Sequence, residues 1–229
     1  MRTLVVCFLA MVACTAHGED LQSLMSKCVP DVHPTTMAAI IRVESAGNMF
    51  ALSDDGPGNL PWSERKNMLR SFKPATLDEA AATTRELLRQ GHWVGLGLTQ
   101  LASRHLSKRG LSVEQALDPC TNLREGGRVL KDFYLDALKT HKEPQAALQA
   151  AISAYNTGNF RAGVENGYVA KVVNASRYSV PALTTGRAIS AVASGGSRSR
   201  AGQLVQQPIR VRRGSAQDAR FASLEAESF

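Results

Sequence analysis

Glu44 occupies a position that favours acid–base chemistry. Met37, Ile40, Ile41 and Glu44 stand at i, i+3, i+4 and i+7, which places the carboxyl group on the apolar stripe of a helix. Because burial raises the proton affinity of a carboxyl group, such a residue is suited to act as a general acid near neutral pH. The position alone also allows a glutamate that pairs with a basic residue or reaches solvent at the end of the stripe.

Two further segments combine residue types that bind sugars. Residues 97–100 read GLTQ. The glycine lets a ligand approach the backbone closely, and the glutamine side-chain amide both donates and accepts hydrogen bonds. Residues 154–156, AYN, end a helix whose inner face includes Tyr155. A buried tyrosine hydroxyl needs a partner, and a carboxyl group or a backbone group can serve. Taken singly, the first segment is also typical of a plain turn and the second of a core tyrosine.

The segments that position these groups are expected to be helical. A helix capped by Thr35 or Thr36 ends near Gly47, and a polar loop contains Pro57 and Pro61. Further helices are predicted over residues 76–90, 121–140 and 144–156. Strand-like alternation is nearly absent, so we predict an all-α (mainly α) fold.

The first 18 residues are typical of a signal peptide. Arg2 precedes an apolar run of about ten residues, and small residues stand at positions 16 and 18, as in export signals. The run is shorter than the ~20 residues that span a bilayer, and no later segment is apolar enough. We therefore expect an exported protein with no transmembrane span. Residues 11–14, MVAC, also allow lipid anchoring at Cys14.

Cys28 and Cys120 remain if cleavage follows Gly18. Two cysteines in an oxidising compartment have one possible pairing. A disulfide between positions 28 and 120, with a sequence separation of 92, would stabilise the folded protein by roughly 4–5 kcal/mol at most. Two buried free thiols are the alternative. No cysteine or histidine cluster has the spacing of a zinc site, and we expect no metal and no cofactor.

Residues 180–229 differ in composition from the domain expected over residues 19–179. Seven arginines stand against three acidic residues there, and no apolar period continues, so we predict a disordered tail. It is either a solvated tether or an arm that contacts wall, membrane or partner. The whole chain has a net charge of +7, which suits anionic partners. We expect no nucleic-acid binding, because aromatic and basic residues do not alternate as in single-strand platforms.

An ordered set of motifs covers residues 24–174. They read CVPDVHPTTMAAI, IIRVESAGN, LDEAAATTRELLRQGHWVGLGLTQL, DPCTNLREGGRVL, AISAYNTGNF and NGYVAKV. In this order they resemble the soluble lytic transglycosylase (goose-type lysozyme-like) superfamily. The closer resemblance is to its VirB1-like branch, which is associated with type IV secretion systems.

The resemblance implies a lysozyme-like helical domain in the periplasm that cuts peptidoglycan glycan strands and opens the wall for type IV secretion or conjugation components. Glu44 would be the single catalytic acid/base. It would protonate the glycosidic oxygen between N-acetylmuramic acid and N-acetylglucosamine, and the muramic 6-hydroxyl would attack C1 to leave a 1,6-anhydro end. The implied substrate-binding residues are Ser45, Gln100, Tyr155, Asn156 and Tyr168, with Tyr155 hydrogen-bonded to the acid. The family often has methionine where Thr99 stands.

Two other functions remain open at this point. Ordinary glycosidases use two carboxyl groups, and Asp54 or Asp55, in the expected loop after Glu44, could supply the second in a hydrolytic muramidase. An internal hydroxyl nucleophile removes that need, since it is already held beside the reacting carbon. A non-catalytic wall-binding assembly factor is the second alternative.

Overall fold

Helices dominate the described part of the chain and confirm the mainly α prediction. The computed structural model describes residues 20–179, 181 and 183. Its helices are α1 (Leu21–Cys28), α2 (Pro34–Glu44), α3 (Trp62–Arg65), α4 (Leu77–Arg89), α5 (Val113–Leu117), α6 (Pro119–Leu138), α7 (Pro144–Thr157), α8 (Ala162–Glu165) and α9 (Tyr168–Ala175). The predicted signal peptide with Cys14, and nearly all of the predicted tail, lie outside these residues. Within them, no helix is both long and apolar enough for a bilayer.

A four-stranded antiparallel sheet interrupts the helices. Its strands are β1 (Leu52–Pro57), β2 (Arg70–Phe72), β3 (His92–Leu96) and β4 (Leu101–Ala102), in the order β2-β1-β3-β4. The sequence did not indicate these strands, because they are short and β1 reads LSDDGP, which is rich in residue types depleted in strands. Asp54 and Asp55 therefore lie on a strand and not in the expected loop.

Alternation along β1 divides the sheet into two faces. Leu52 and Asp54 are buried, whereas Ser53 and Asp55 are partly exposed. The buried face packs on α4 and α5 in an apolar cluster that includes Leu52, Ala80, Ala81, Leu87, Val94, Leu96, Ala116 and Leu117. The other face, called here the open face, carries Ser53, Asp55 and, on β3, Trp93 and Gly95; Gly95 is the register partner of Ser53.

Helix α2 is the centre of the main core. Met37, Ile40 and Ile41 are fully buried and share an apolar cluster with residues from α1, α6, α7 and α9. Each large side chain of this kind contributes about 1.5–3 kcal/mol when it is removed from water. The apolar period that the sequence shows therefore fixes which side of α2 faces inward, and with it the direction of Glu44.

The helix boundaries follow the capping residues. Thr76 accepts a hydrogen bond from the backbone N–H of Glu79 at 3.2 Å, and the predicted helix over residues 76–90 is confirmed within one residue. For α2 the cap is His33 instead of Thr35 or Thr36, because Pro34 lacks an N–H and takes the first helical position. The helix also ends earlier than predicted, at Glu44.

The predicted disulfide is present. Cys28 at the end of α1 and Cys120 at the start of α6 are bonded, with Cα atoms 5.2 Å apart and a sequence separation of 92. The bond ties α1 to the longest helix of the described residues. It therefore braces the core cluster that surrounds α2.

Candidate active site

Glu44 is the last residue of α2 and lies at the border between core and solvent. The residues before it on the stripe are fully buried, while Glu44 itself is partly exposed. The partial negative charge at the C-terminal end of a helix disfavours ionisation of a carboxyl group there. The position therefore combines access from outside with a tendency to hold a proton.

Tyr168, the first residue of α9, is the hydrogen-bond partner of the acid. Its hydroxyl donates to Oε1 of Glu44, and its side chain is buried. Burial raises the pKa of Glu44 to about 7; the hydrogen bond from Tyr168 lowers this pKa and the negative charge of Asp55 raises it. A carboxyl group with this pKa can both give and take a proton near neutral pH, as a general acid/base must.

The hydrogen bond expected from Tyr155 to the acid goes instead to a backbone group. The Tyr155 hydroxyl donates to the carbonyl oxygen of Thr99 at 2.8 Å, and this uses its single proton. Burial and the negative charge of Glu44 raise the pKa of both Tyr155 and Tyr168. The two phenols thus lie near the acid and stay protonated, but the one that contacts it is Tyr168, for which the family resemblance implied only a substrate-binding role.

Ser45 ties the end of α2 to the segment that carries Gln100. Its Oγ lies 2.9 Å from the carbonyl oxygen of Leu98 and 3.1 Å from that of Ile41, and it accepts from the N–H of Gly47. These contacts hold the backbone directly after the acid. Ser45 is thereby a positioning residue in this structure.

Gln100 is held in an uncommon backbone conformation. Its φ is 50°, which lies in the left-handed region. A non-glycine residue held in this conformation costs of order 1–3 kcal/mol, and such residues cluster at functional sites. The side-chain Nε2 donates to the carbonyl oxygens of Ala51 (3.1 Å) and Gly97 (2.9 Å). Two protein acceptors therefore take both N–H groups of the amide.

The absence of a side chain at Gly95 makes room for polar atoms of Ser53 and Gln100. A Cβ placed on Gly95 would lie 2.5 Å from Oγ of Ser53 and 2.8 Å from Oε1 of Gln100, both closer than atoms can pack. Glycine therefore allows a hydroxyl and an amide oxygen to lie side by side on the open face. Such a pair of polar groups suits a ligand that carries hydroxyl and amide groups.

The two aspartates of β1 have different surroundings. Asp54 is fully buried and is paired with Arg70 at 2.6 Å and His92 at 2.8 Å. Its burial raises the pKa, but hydrogen bonds from the Gly56 N–H, Arg70 and His92 together lower it below the usual value. Asp54 is thus a structural ion-pair partner on the buried face and is not available as the second carboxyl group.

Asp55 points to the open face and acts electrostatically on Glu44. Burial raises its pKa, which the hydrogen bond from Ser53 and the charges of Arg104 and Arg65 oppose. Of the two aspartates that the sequence offered as a second carboxyl group, Asp55 is the one on the side of the acid. Groups of three or more potential metal ligands are absent from the part of the chain that the structure describes.

Thr99 and Asn156 complete the set of residues singled out from the sequence. Thr99 is fully buried, its Oγ1 lies 2.9 Å from Oδ1 of Asn122, and Gly126 packs directly against it. The hydroxyl is therefore satisfied within the core. Asn156 is exposed beside Tyr155, and its Oδ1 accepts from Nδ2 of Asn166 at 3.2 Å, so its surface faces solvent at the end of α7.

Comparisons with known proteins agree with the motif-based resemblance. The model of the transglycosylase SLT domain family matches residues 23–174. Protein virB1 of Rhizobium radiobacter is 39% identical over 165 residues, which cover 72% of this chain and 64% of the relative. Protein virB1 of Agrobacterium fabrum is 36% identical over 166 residues, which cover 72% of this chain and 62% of the relative. The type IV secretion system protein virB1 of Brucella abortus is 38% identical over 156 residues, which cover 66% of this chain and 61% of the relative.

The chain thus spans somewhat less than two thirds of the length of these curated relatives. No solved structure matches it. The matched region contains Glu44, Gln100, Tyr155 and Tyr168, and it ends before residue 180.

Proposed function

Because the chain belongs to the transglycosylase SLT domain family, we propose that it is an exported, periplasmic lytic transglycosylase that cleaves the glycan strands of peptidoglycan. The observation that carries the proposal is the Glu44 carboxyl group, which is bonded by Tyr168 and has a pKa of about 7. Such a group is protonated in a large fraction of molecules at neutral pH, which an ordinary surface glutamate is not.

The proposed reaction begins with proton transfer from Glu44 to the glycosidic oxygen of the β-1,4 bond between N-acetylmuramic acid and N-acetylglucosamine. The C1–O bond breaks, and N-acetylglucosamine leaves as the free 4-hydroxyl. The carboxylate of Glu44 then takes the proton of the muramic 6-hydroxyl as that oxygen bonds to C1. The product is a 1,6-anhydro sugar, no water is consumed, and the acid returns to its protonated form.

Tyr168 supports both halves of this cycle. Its hydroxyl donates to one carboxylate oxygen, which leaves the other oxygen to exchange a proton with the substrate. A hydrogen bond to the charged form stabilises the carboxylate that exists between the two steps. One carboxyl group is sufficient, because the nucleophile belongs to the sugar and is held next to C1.

The sugar-binding groups are proposed to be the polar atoms of the open face and of the α7 terminus. Ser53 and Gln100 present oxygens on either side of Gly95, and Asn156 presents an exposed amide. Ser45 and Tyr155 hold the surrounding backbone through Leu98 and Thr99. Together these groups suit a chain of N-acetylated sugars, which offers both donors and acceptors.

A hydrolytic muramidase is the second candidate function, and Asp55 is the observation in its favour. This carboxyl group lies on the open face and interacts electrostatically with Glu44. In a hydrolase it would activate water or stabilise charge at C1. The two chemistries leave different ends, since the transglycosylase makes anhydro-muropeptides and the hydrolase makes reducing ends.

The biological role that we propose is local opening of the wall for a type IV secretion or conjugation machine. Support comes from the similarity to a protein named type IV secretion system protein virB1. A non-catalytic assembly factor with the same fold is the competing possibility.

The decisive experiment is digestion of purified peptidoglycan by the mature protein and by Glu44→Gln, with products identified by mass spectrometry. We expect anhydro-muropeptides from the wild type and at least about a hundredfold less product from the variant, since general acid catalysis contributes 10²–10⁴-fold. Reducing ends would establish the muramidase. The absence of any product from a folded, wall-bound wild type would establish the assembly factor.

A further inference from the structure

Two arginines contact Trp93 on the open face of the sheet. The guanidinium carbon of Arg65 lies 4.5 Å from the Trp93 ring centroid, and that of Arg104 lies 5.5 Å from it. At such distances a guanidinium is attracted to the face of the ring. Gly58 packs so closely on the indole that a Cβ there would lie 2.3 Å from its nitrogen. The ring is thereby held in place as a platform for the two cations.

This arginine–tryptophan cluster (Arg65, Trp93, Arg104) adjoins the candidate active site. Asp55 links the two, because its pKa responds to both arginines and its charge in turn acts on Glu44. Trp93 is two residues from Gly95 on β3 and points to the same face, so the cluster lies roughly 7 Å along the strand from the Ser53–Gln100 pair.

The two guanidinium groups differ in how they are satisfied. Arg65 is anchored, since its Nε donates to the carbonyl oxygen of Leu60 and its Nη1 to that of Asp55. Arg104 is exposed, and among the residues that the structure describes its guanidinium forms neither a hydrogen bond nor an ion pair; its contact is with the indole. Arg104 thus holds its planar set of N–H donors ready for an external acceptor.

The charge balance also favours an anionic ligand. Asp54 is paired on the other face with Arg70 and hydrogen-bonded to His92, which leaves Asp55 to offset one of the two cluster arginines. A planar guanidinium matches a carboxylate through two parallel hydrogen bonds. A neutral hydroxyl cannot complete such a pair.

We propose that the arginine–tryptophan cluster is a carboxylate-binding subsite through which the protein recognises the acidic groups of its substrate. The inference rests on the proposed function, because it takes peptidoglycan as that substrate. Carboxylates there have two sources: the peptide stems of intact strands, and the lactyl groups of strands from which the peptides have been removed. The subsite would make cleavage depend on substrate charge at a distance from the broken bond.

The test compares three forms of the same glycan. The first is intact and carries peptides, the second has been stripped of peptides by an amidase, and the third is intact but has its carboxylates converted to neutral amides with carbodiimide and ammonia. Full-length wild type, Arg104→Gln and Arg89→Gln are assayed on each for kcat/KM. Arg89 is the matched control, because it is an exposed arginine in the last turn of α4 whose guanidinium already pairs with Glu86.

We expect Arg104→Gln to lose about tenfold in kcat/KM on carboxylate-bearing strands, in keeping with one charge-assisted hydrogen bond. On amidated strands it should equal the wild type, which itself should be about tenfold slower there than on intact strands. Arg89→Gln should match the wild type throughout. A loss on intact strands alone assigns the peptide stems, and a loss on stripped strands alone assigns the lactyl group; a loss on both assigns either carboxylate.

An equal loss on all three forms would overturn the proposal, because Arg104 would then act through Asp55 or through the fold. No loss on any form would overturn it as well. Arg104→Lys keeps the positive charge but lacks the planar guanidinium, so its loss in kcat/KM should be smaller than that of Arg104→Gln. This variant also controls for loss of activity through misfolding. Binding without cleavage is measured by isothermal titration calorimetry with soluble strands of the three glycans, comparing Glu44→Gln with the double variant Glu44→Gln, Arg104→Gln. An inactive wild type would refute the proposed function, while this binding comparison still tests the subsite.

Discussion

The Tyr168 hydroxyl donates a hydrogen bond to the Glu44 carboxyl group, although the two residues are 124 positions apart in sequence. The bond connects the last residue of α2 to the first residue of α9. Burial raises the pKa of Glu44, and this bond limits the rise, so that the pKa is about 7. The packing of α9 on α2 is therefore part of what tunes the acid.

Replacing Tyr168 by phenylalanine should shift the pH dependence of cleavage. The hydrogen bond stabilises the ionised form, so its removal raises the pKa of Glu44 further. The alkaline limb of the kcat/KM profile should move to higher pH, and the maximal rate should fall about tenfold because the carboxyl group loses an orienting contact. Rates measured on either side of neutrality would show both effects.

Tyr155→Phe is the matched control for this shift. Its hydroxyl bonds to the Thr99 carbonyl oxygen and not to the acid, so the alkaline limb should stay in place even if stability falls. If Tyr168→Phe and Tyr155→Phe moved the limb equally, the special role of Tyr168 would be refuted.

Glu44→Gln should stabilise the protein at alkaline pH. The pKa of Glu44 is about 7 in the folded state against 4.5 for an unperturbed glutamate, so the folded state binds more protons between these pH values. Stability is then lost as pH rises through this window and levels off above it. The neutral amide avoids this loss, which is about 3–4 kcal/mol at most because each pKa unit corresponds to about 1.4 kcal/mol.

Thermal or urea unfolding of both proteins below and above the window would measure the effect. The difference in the free energy of unfolding should be small in acid and should grow toward alkaline pH in favour of the variant. A constant difference at all pH values would mean that Glu44 does not titrate with a raised pKa.

The sequence predicted the acid but not its surroundings, for a physical reason. The apolar period of α2 fixes the inward direction of Glu44 because Met37, Ile40 and Ile41 must be buried, and this is local information. The partner Tyr168 depends on how α9 docks on α2, which no local pattern contains. The sequence likewise did not predict the cluster formed by Trp93, Arg65 and Arg104. These residues come together through the sheet, and the polar sequence of β1 did not indicate a strand.

Asp54→Asn and Asp55→Asn should differ in their effect on the stability of the protein. The Asp54 variant leaves Arg70 and His92 without their shared buried carboxylate, so it should lower the free energy of unfolding by about 1–3 kcal/mol while the folded enzyme still cleaves. Asp55→Asn removes a partly exposed group and should change stability little. Denaturant titration and the product analysis used for Glu44→Gln measure the two effects.

Asp55→Asn also separates the two candidate chemistries. In a transglycosylase the variant should still form anhydro products, with a lower pKa for Glu44 because a neighbouring negative charge is gone. The alkaline limb should then move to lower pH, opposite to the shift in Tyr168→Phe. Loss of all products from a folded Asp55→Asn would instead favour the hydrolytic mechanism.

Removing the disulfide should destabilise the domain without changing its chemistry. Cys28 and Cys120 join α1 to α6 with a sequence separation of 92. Because the cross-link limits the freedom of the unfolded chain, the double variant Cys28→Ser, Cys120→Ser should lose up to roughly 4–5 kcal/mol of stability. The dependence of the unfolding free energy on urea should also steepen, because the unlinked chain exposes more surface. At temperatures where the variant stays folded, its kcat should match that of the wild type, since the cysteines lie on α1 and α6 whereas Glu44 and Tyr168 lie on α2 and α9. Reductant should lower the stability of the wild type alone, and a reductant effect of equal size on the double variant would show that the disulfide is not its cause.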